Sequence, residues 1–306
     1  MKRSAALALA GLLSLLLSAC QKDEQATTTA AIPNDPAATI EKTAADLRAG
    51  DLLTVVRTAL PPDHYERIRT EWRTRVTSQP PTEEERQEFA ATMAKLTAPD
   101  AEAQLYAELE PQLARYEQEM AAQMPLMVGM GRGFAMQSLQ QSETLTAEQK
   151  KQAGELLDAV ANWLQSARFF DRELARQAIA RVVATARALE VQTLDQVQAL
   201  EFEQAMEKGG IALRGLYDVL GVYGLKLDDT LGSVDATTVD EQGDAARVAV
   251  TYKVFDQPLA FETEMVRIDD RWYGKDALAE LERAAAAPAA DPEAAEAVED
   301  EAEVAE

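Results

Sequence analysis

The chain has 306 residues, a formal net charge of −23 and a sequence pI of about 4.5. A chain this acidic is not expected to bind nucleic acid through electrostatic attraction. With one cysteine and one histidine it cannot form an internal disulfide and lacks the ligands of an ordinary zinc or iron site, and we predict no cofactor.

The N-terminal residues have the pattern of a secretory signal peptide. Lys2 and Arg3 precede an apolar run of thirteen residues, from Ala5 to Leu17. A membrane-spanning helix needs roughly 18 or more apolar residues, so this run fits a signal peptide better than an anchor helix. We therefore predict a signal peptide over residues 1–19.

The end of this run, Leu17-Ser18-Ala19-Cys20, resembles the lipobox of bacterial lipoprotein precursors at every position. The resemblance implies cleavage between Ala19 and Cys20, a diacylglycerol thioether on Cys20 and a further fatty acid such as palmitate on its new amino group. Several acyl chains anchor a protein stably, at about 0.8 kcal/mol per buried methylene. The alternative is an ordinary secreted protein whose free thiol is a liability in an oxidising compartment.

Gln21 follows the lipidation site, at a position where aspartate is associated with retention in the inner membrane of Gram-negative bacteria. For a Gram-negative host, the resemblance implies anchorage to the cell outer membrane on its periplasmic side. Residues 20–35 are predicted to form a flexible tether between this anchor and the folded part.

Residues 36–224 have helical signals throughout, and we predict a helical domain there. Gly50 is expected to end one helix, and Asp51 and Asp63 to cap the next two. The segments TEEE (82–85) and TAEQ (146–149) are capping boxes that predict two further helix starts.

Apolar spacing extends this helical prediction towards residue 224. Stripes at helical spacing follow Thr146 and Asp171. Two more helices are predicted over 193–206 and 211–222, with Gly209 and Gly210 separating them.

From residue 225 the periodicity changes, and we predict a small antiparallel sheet domain over 225–283. The alternation expected of a half-buried strand is present: Val248, Val250, Tyr252 and Val254 alternate with Arg247, Ala249, Thr251 and Lys253. The predicted meander has three or four strands, over 231–239, 248–254, 259–268 and from 271, followed by a short helix over 276–283. Turns are expected at 242–244, 256–258 and 269–270. The predicted fold class is α+β, mainly α.

The segment VRIDDRWYG (266–274) resembles the last hairpin of nuclear-transport-factor-like and cystatin-like domains. The resemblance covers about sixty residues and implies a curved sheet packed on a helix, with a cone between them that often holds a ligand. It carries no catalytic residue, and we expect Trp272 to be a core anchor.

The last segment, residues 284–306, carries eight acidic groups and no basic or aromatic residue. Such a segment buries too little apolar surface to offset chain entropy, so a disordered acidic tail is predicted.

The stretch MPLMVGMGRGFAM (124–136) is the least usual internal motif. Met120, Met124, Met127 and Met130 share one helical face if Pro125 lies in a first turn or at a kink. We expect a pliable core seam, because methionine fills irregular space well. The alternative is a Cu(I) carrier, since thioether sulfur binds Cu(I).

Two further features favour structural roles. Gly129, Gly131 and Gly133 do not match a dinucleotide fingerprint and are expected to allow flexible or tight helix packing. His64 is expected on the surface, in the first turn of a helix.

We therefore expect a lipid-anchored, non-catalytic envelope lipoprotein whose periplasmic part binds a protein or a small ligand. Beyond Cys20 and the cleavage site, the sequence identifies no ligand-binding, catalytic or metal residues. The alternatives are a carboxylate-based hydrolase acting on peptidoglycan, which only the geometry of an acidic pair would identify, and the methionine-based Cu(I) carrier.

Overall fold

The structure is a computed structural model and describes residues 34–78, 80–120, 122–142 and 145–279. The predicted signal peptide, Cys20 and the acidic tail lie outside these residues, as does the tether apart from positions 34 and 35. The described residues belong to one compact unit. Their fold is α+β and mainly α, as predicted.

The helical part comes first along the chain. Its helices are α1 (Pro36–Ala49), α2 (Leu52–Ala59), α3 (Pro62–Ser78), α4 (Glu83–Thr97), α5 (Ala101–Met120), α6 (Met124–Gln141), α7 (Ala147–Ser166), α8 (Arg172–Leu189), α9 (Leu194–Gln198), α10 (Phe202–Val222) and α11 (Leu227–Gly232).

The predicted end of α1 and start of α2 are confirmed. Gly50 has a left-handed backbone (φ 74°), and the Asp51 side chain accepts a hydrogen bond from Thr54 N at 3.0 Å. The expectation for Asp63 was wrong by two positions: α3 begins at Pro62, so Asp63 lies in its first turn. At this position its carboxylate still interacts favourably with the positive end of the helix dipole.

Both predicted capping boxes are present. Thr82 and Glu85 exchange backbone–side-chain hydrogen bonds, as do Thr146 and Gln149. The hydrogen bond donated by the Thr82 backbone N–H lowers the pKa of Glu85 below its usual value. These helix starts depend on residues three positions apart, which explains why the sequence was sufficient to find them.

The helix predicted over 193–206 is interrupted, and α3 provides the reason. Trp72 Nε1 donates a hydrogen bond of 3.0 Å to the carbonyl of Leu200, which lies between α9 and α10. The ring of Phe202 packs edge-on against both Trp72 and Tyr65, with centroid distances of 5.7 Å. A distant helix therefore fixes this break.

The predicted break at Gly209 and Gly210 was wrong, because α10 continues through both residues. The glycines instead allow a close approach. A Cβ at Gly210 would lie 2.0 Å from the carbonyl oxygen of Gly50, and one at Gly209 would lie 3.2 Å from Leu52 Cδ1. The end of α1 thus packs directly on the backbone of α10.

The sheet follows the helices and has the strands β1 (Asp235–Gln242), β2 (Ala245–Val254), β3 (Gln257–Ile268) and β4 (Arg271–Gly274) in the order β1-β2-β3-β4. All neighbours are antiparallel. The predicted meander is confirmed, although β1 starts four residues later than expected because α11 occupies 227–232. The turn between β2 and β3 lies at Phe255 and Asp256, so Gln257 and Pro258 belong to β3. Residues 275–279 are helical, and the rest of the predicted C-terminal helix lies outside the described residues.

The core of the sheet is shared with α1. Ala37 of α1 packs with the buried side chains of Val248, Val250, Met265 and Trp272. Trp272 is therefore a core residue, as expected. The sheet was predicted to be a separate domain. In the structure its core includes Ala37 of α1, a helix that was assigned to the helical domain.

We expect Gly210→Ala to lower the free energy of unfolding by about 1–3 kcal/mol, because a methyl group placed against the Gly50 carbonyl must displace backbone. Gly221→Ala in the same helix is the matched control: its Cβ meets nothing within 4 Å, and alanine favours a helix by up to about 1 kcal/mol. Chemical denaturation measures both. Equal stability of the two variants would contradict the close approach of α1 and α10.

Candidate functional site

The space between α1 and the sheet is filled by side chains. Val248 and Val250 are almost completely buried there, as is Trp272. The ligand cone implied by the resemblance to cystatin-like domains is therefore occupied by the protein's own core at this place.

A polar groove lies between the start of α7 and the sheet, with a volume of about 1010 Å³. Three of its charged side chains are paired: Arg247 Nε lies 3.4 Å from Glu262 Oε2, and Glu264 Oε2 lies 2.5 Å from Nζ of Lys275, a residue beside the groove. The hydrogen bond from Lys275 lowers the pKa of the Glu264 carboxyl. The groove is open and is lined by charged, polar and apolar residues.

Glu264 is one of four carboxyl groups in the described residues whose pKa is displaced, and all four displacements are downward. Hydrogen bonds cause each of them, from Thr82 to Glu85, from the Leu174 backbone to Asp171, from Arg69 to Glu203 and from Lys275 to Glu264. A general acid needs a carboxyl whose pKa is raised. None of these four groups has the property on which the hydrolase alternative depends.

His64 lies in the first turn of α3, as expected, but it is partly buried, so the expectation of a surface histidine was partly wrong. Its Nδ1 is buried and has no hydrogen-bond partner in the described structure. Asp228, which lies in an acidic pair of the sequence, binds Arg214 through both carboxylate oxygens. Among the described residues, neither belongs to a group of three side chains that could hold a metal ion.

The methionine-rich stretch forms α6, and the prediction that it is a core seam was wrong. Met120 ends α5 and so belongs to a different helix, while Pro125 lies in the first turn of α6. No residue of α6 is fully buried. Four large apolar side chains are mostly exposed: Leu126 (66%), Met127 (50%), Met130 (68%) and Phe134 (77%). We call these four residues the α6 face.

The α6 face is continuous on the helix. Residues of an α-helix follow one another at about 100° of rotation, which places the four side chains within an arc of about 100°. Arg132 lies on the opposite side, where its Nε donates a hydrogen bond of 2.6 Å to Asp158 of α7. Met136 also faces α7, since a Cβ at Gly154 would lie 3.4 Å from its Cε. One side of α6 therefore binds α7, and the other side is exposed to solvent.

The three glycines of α6 do not provide tight packing, contrary to expectation. A Cβ added at Gly129, Gly131 or Gly133 would meet no atom within 4 Å. They leave the surface beside the α6 face smooth and uncrowded.

The sequence reasoning singled out the methionines but missed Leu126 and Phe134. A signal for the surface was present, because no acidic residue occurs between Glu119 and Glu143 in a chain with a net charge of −23. In a core-forming helix of an acidic protein, the solvent side would be expected to carry such charges.

No helix among the described residues is both long and apolar enough to cross a membrane. Within the same residues no three His, Cys, Asp or Glu side chains are grouped so that they could hold a metal ion. Comparison of the chain with protein-family models, curated proteins and solved structures finds no match.

Two methionines allow a direct test of the exposure of α6. Met93 of α4 is 5% exposed and packs with Ala186 and Val191, so we expect Met93→Ala to cost about 2–5 kcal/mol of stability. Met130→Ala, the same change at an exposed position, should alter the free energy of unfolding by less than about 0.5 kcal/mol. Denaturant titration compares them. A loss at Met130 as large as that at Met93 would mean that the α6 face is buried.

Proposed function

We propose that this chain is a lipid-anchored, non-catalytic protein of the cell envelope that works by binding through the α6 face. The lipobox residues support anchorage through Cys20 to the outer membrane, with the folded part facing the periplasm. The observation that carries the binding role is the exposure of four large apolar side chains on one side of a helix whose other side is packed.

Leaving such an apolar surface in water costs free energy. Burial of apolar surface contributes about 25 cal/mol per Å², and large contiguous apolar patches on soluble proteins commonly mark interaction sites. The four side chains of the α6 face could be replaced by polar ones with little loss of folding energy, because half or more of each is already exposed to water. Their apolar character therefore contributes little to folding and is available for binding.

The anchoring part is tested with Cys20→Ser. We expect this variant to lose incorporation of labelled palmitate and to shift from the membrane fraction to the soluble fraction of the cell envelope, because no other residue in the chain has a thiol to accept diacylglycerol. Labelling and fractionation are measured beside the parent chain. Equal palmitate incorporation in the two proteins would contradict anchorage through Cys20.

The binding part is tested by photocrosslinking in the host cell. Benzoylphenylalanine in place of Phe134 should give adducts in high yield, whereas the same group in place of Leu216 should give few. Leu216 is the matched control because it is also apolar and half-exposed (51%), but it lies on α10. Equal adduct yields at the two positions would contradict a binding role specific to the α6 face.

The Cu(I) alternative is favoured by the exposed sulfur atoms of Met127 and Met130, and the crosslinking experiment separates it from binding through apolar surface. Replacing Met124, Met127 and Met130 by leucine removes the three thioethers but keeps the α6 face apolar, so the adducts at Phe134 should persist and any Cu(I) binding should disappear. Replacing Met127 and Met130 by serine should remove the adducts as well. Loss of the adducts in the leucine variant would favour the thioether role.

A further inference from the structure

The chemistry of the α6 face restricts what it binds. Between Glu119 and Glu143 the only formal charge is that of Arg132, which is bound to Asp158 on the side away from the face. Much of the remaining chain is acidic and is repelled by anionic lipid headgroups. The α6 face therefore lacks the acidic groups that oppose the approach of a surface to an anionic bilayer.

The geometry also fits a bilayer. The apolar arc of about 100° points outward along α6, and the polar contacts of the helix, including that of Arg132, are turned towards α7. Helices that lie in the membrane interface bury one apolar face about 5–10 Å into the boundary between headgroups and acyl chains. Leu126, Met130 and Phe134, spaced by four residues, form a ridge that can enter this layer while α7 stays outside.

A protein partner is less well supported by the same surface. Specific protein interfaces combine an apolar centre with a polar rim that fixes the register of the two partners. The α6 face is flanked instead by Gly129, Gly131 and Gly133, and the exposed but uncharged Gln137 and Gln141 continue it towards the end of the helix, so no charged side chain borders it. A fluid bilayer requires no register, so it matches this surface better.

From these observations we propose that the α6 face inserts into the surface of the bilayer to which the lipid on Cys20 anchors the chain. This step rests on the proposed lipid anchor. Fourteen residues lie between Cys20 and Asp35, the cap of α1, and the segment spans at most about 54 Å when fully extended. The anchor thus keeps α6 at a high effective concentration near the bilayer, and even weak insertion becomes populated.

Spin labelling of the acylated full-length protein tests this contact. Since acylation occupies Cys20, Met130→Cys supplies a single free thiol for a nitroxide, and Leu216→Cys supplies the control on α10. Both labelled proteins are reconstituted into vesicles of phosphatidylethanolamine and phosphatidylglycerol, and the accessibility of each label to oxygen and to a water-soluble nickel complex is measured. At Met130 we expect high oxygen accessibility and a several-fold lower nickel accessibility than at Leu216.

Other accessibility results would contradict either the insertion of α6 or the lipid anchor. A label at Met130 that is as accessible to nickel as that at Leu216 overturns bilayer insertion. A label at Met130 that is protected from both oxygen and nickel also overturns it, and indicates a protein contact or a second copy instead. Sedimentation with the vesicles reports the anchor separately: failure to sediment contradicts the proposed anchorage, whereas sedimentation with a water-exposed label contradicts only the α6 contact.

A second pair of variants controls for damage to α6. Phe134→Ser in the Met130→Cys background should restore nickel access, because it removes the most exposed apolar side chain of the α6 face. Phe134→Leu should keep the label protected. Equal protection in the serine and leucine variants would contradict insertion through the apolar face.

Discussion

The structure depends on α1, which connects the sheet to the helices that follow it. At its beginning, Ala37 enters the core of the sheet beside Val248 and Trp272. At its end, the Gly50 carbonyl lies against the backbone of Gly210 in α10, so closely that no side chain is tolerated there. Because both contacts belong to one short helix, displacement of α1 would disturb the sheet core and the packing of α10 together.

This arrangement explains why α6 has a free side. The core contacts of the sheet are satisfied by α1, and α7 contributes Ala159 to a smaller cluster with Val254 and Leu259. The side of α6 that carries Arg132 and Met136 meets α7, so the helix is held as the outer member of a hairpin. The α6 face, on the other side of the helix, points away from α7 and remains exposed.

Features that depend on neighbouring residues could be predicted from the sequence. The cap at Asp51, both capping boxes and the alternation of β2 are local patterns, and all are present in the structure. Features that depend on distant contacts could not be predicted. Trp72 interrupts a helical pattern at Leu200, and the glycine pair of α10 serves a close approach that no local signal reveals. For the candidate site, the helix and its methionines were predicted, but its exposure was not, because periodicity identifies an apolar side without showing what covers it.

If the chain is anchored as proposed, its acidity and its apolar α6 face both influence how the folded part is oriented relative to the bilayer. A tethered body samples many orientations relative to the bilayer, and its acidic surfaces are disfavoured near anionic headgroups within a Debye length of about 8 Å. The orientation that brings α6 to the lipid avoids this repulsion and also removes apolar surface from water. Repulsion elsewhere and attraction at the α6 face therefore favour the same orientation. In that orientation the acidic surfaces of the remaining chain stay farther from the anionic headgroups than the α6 face does.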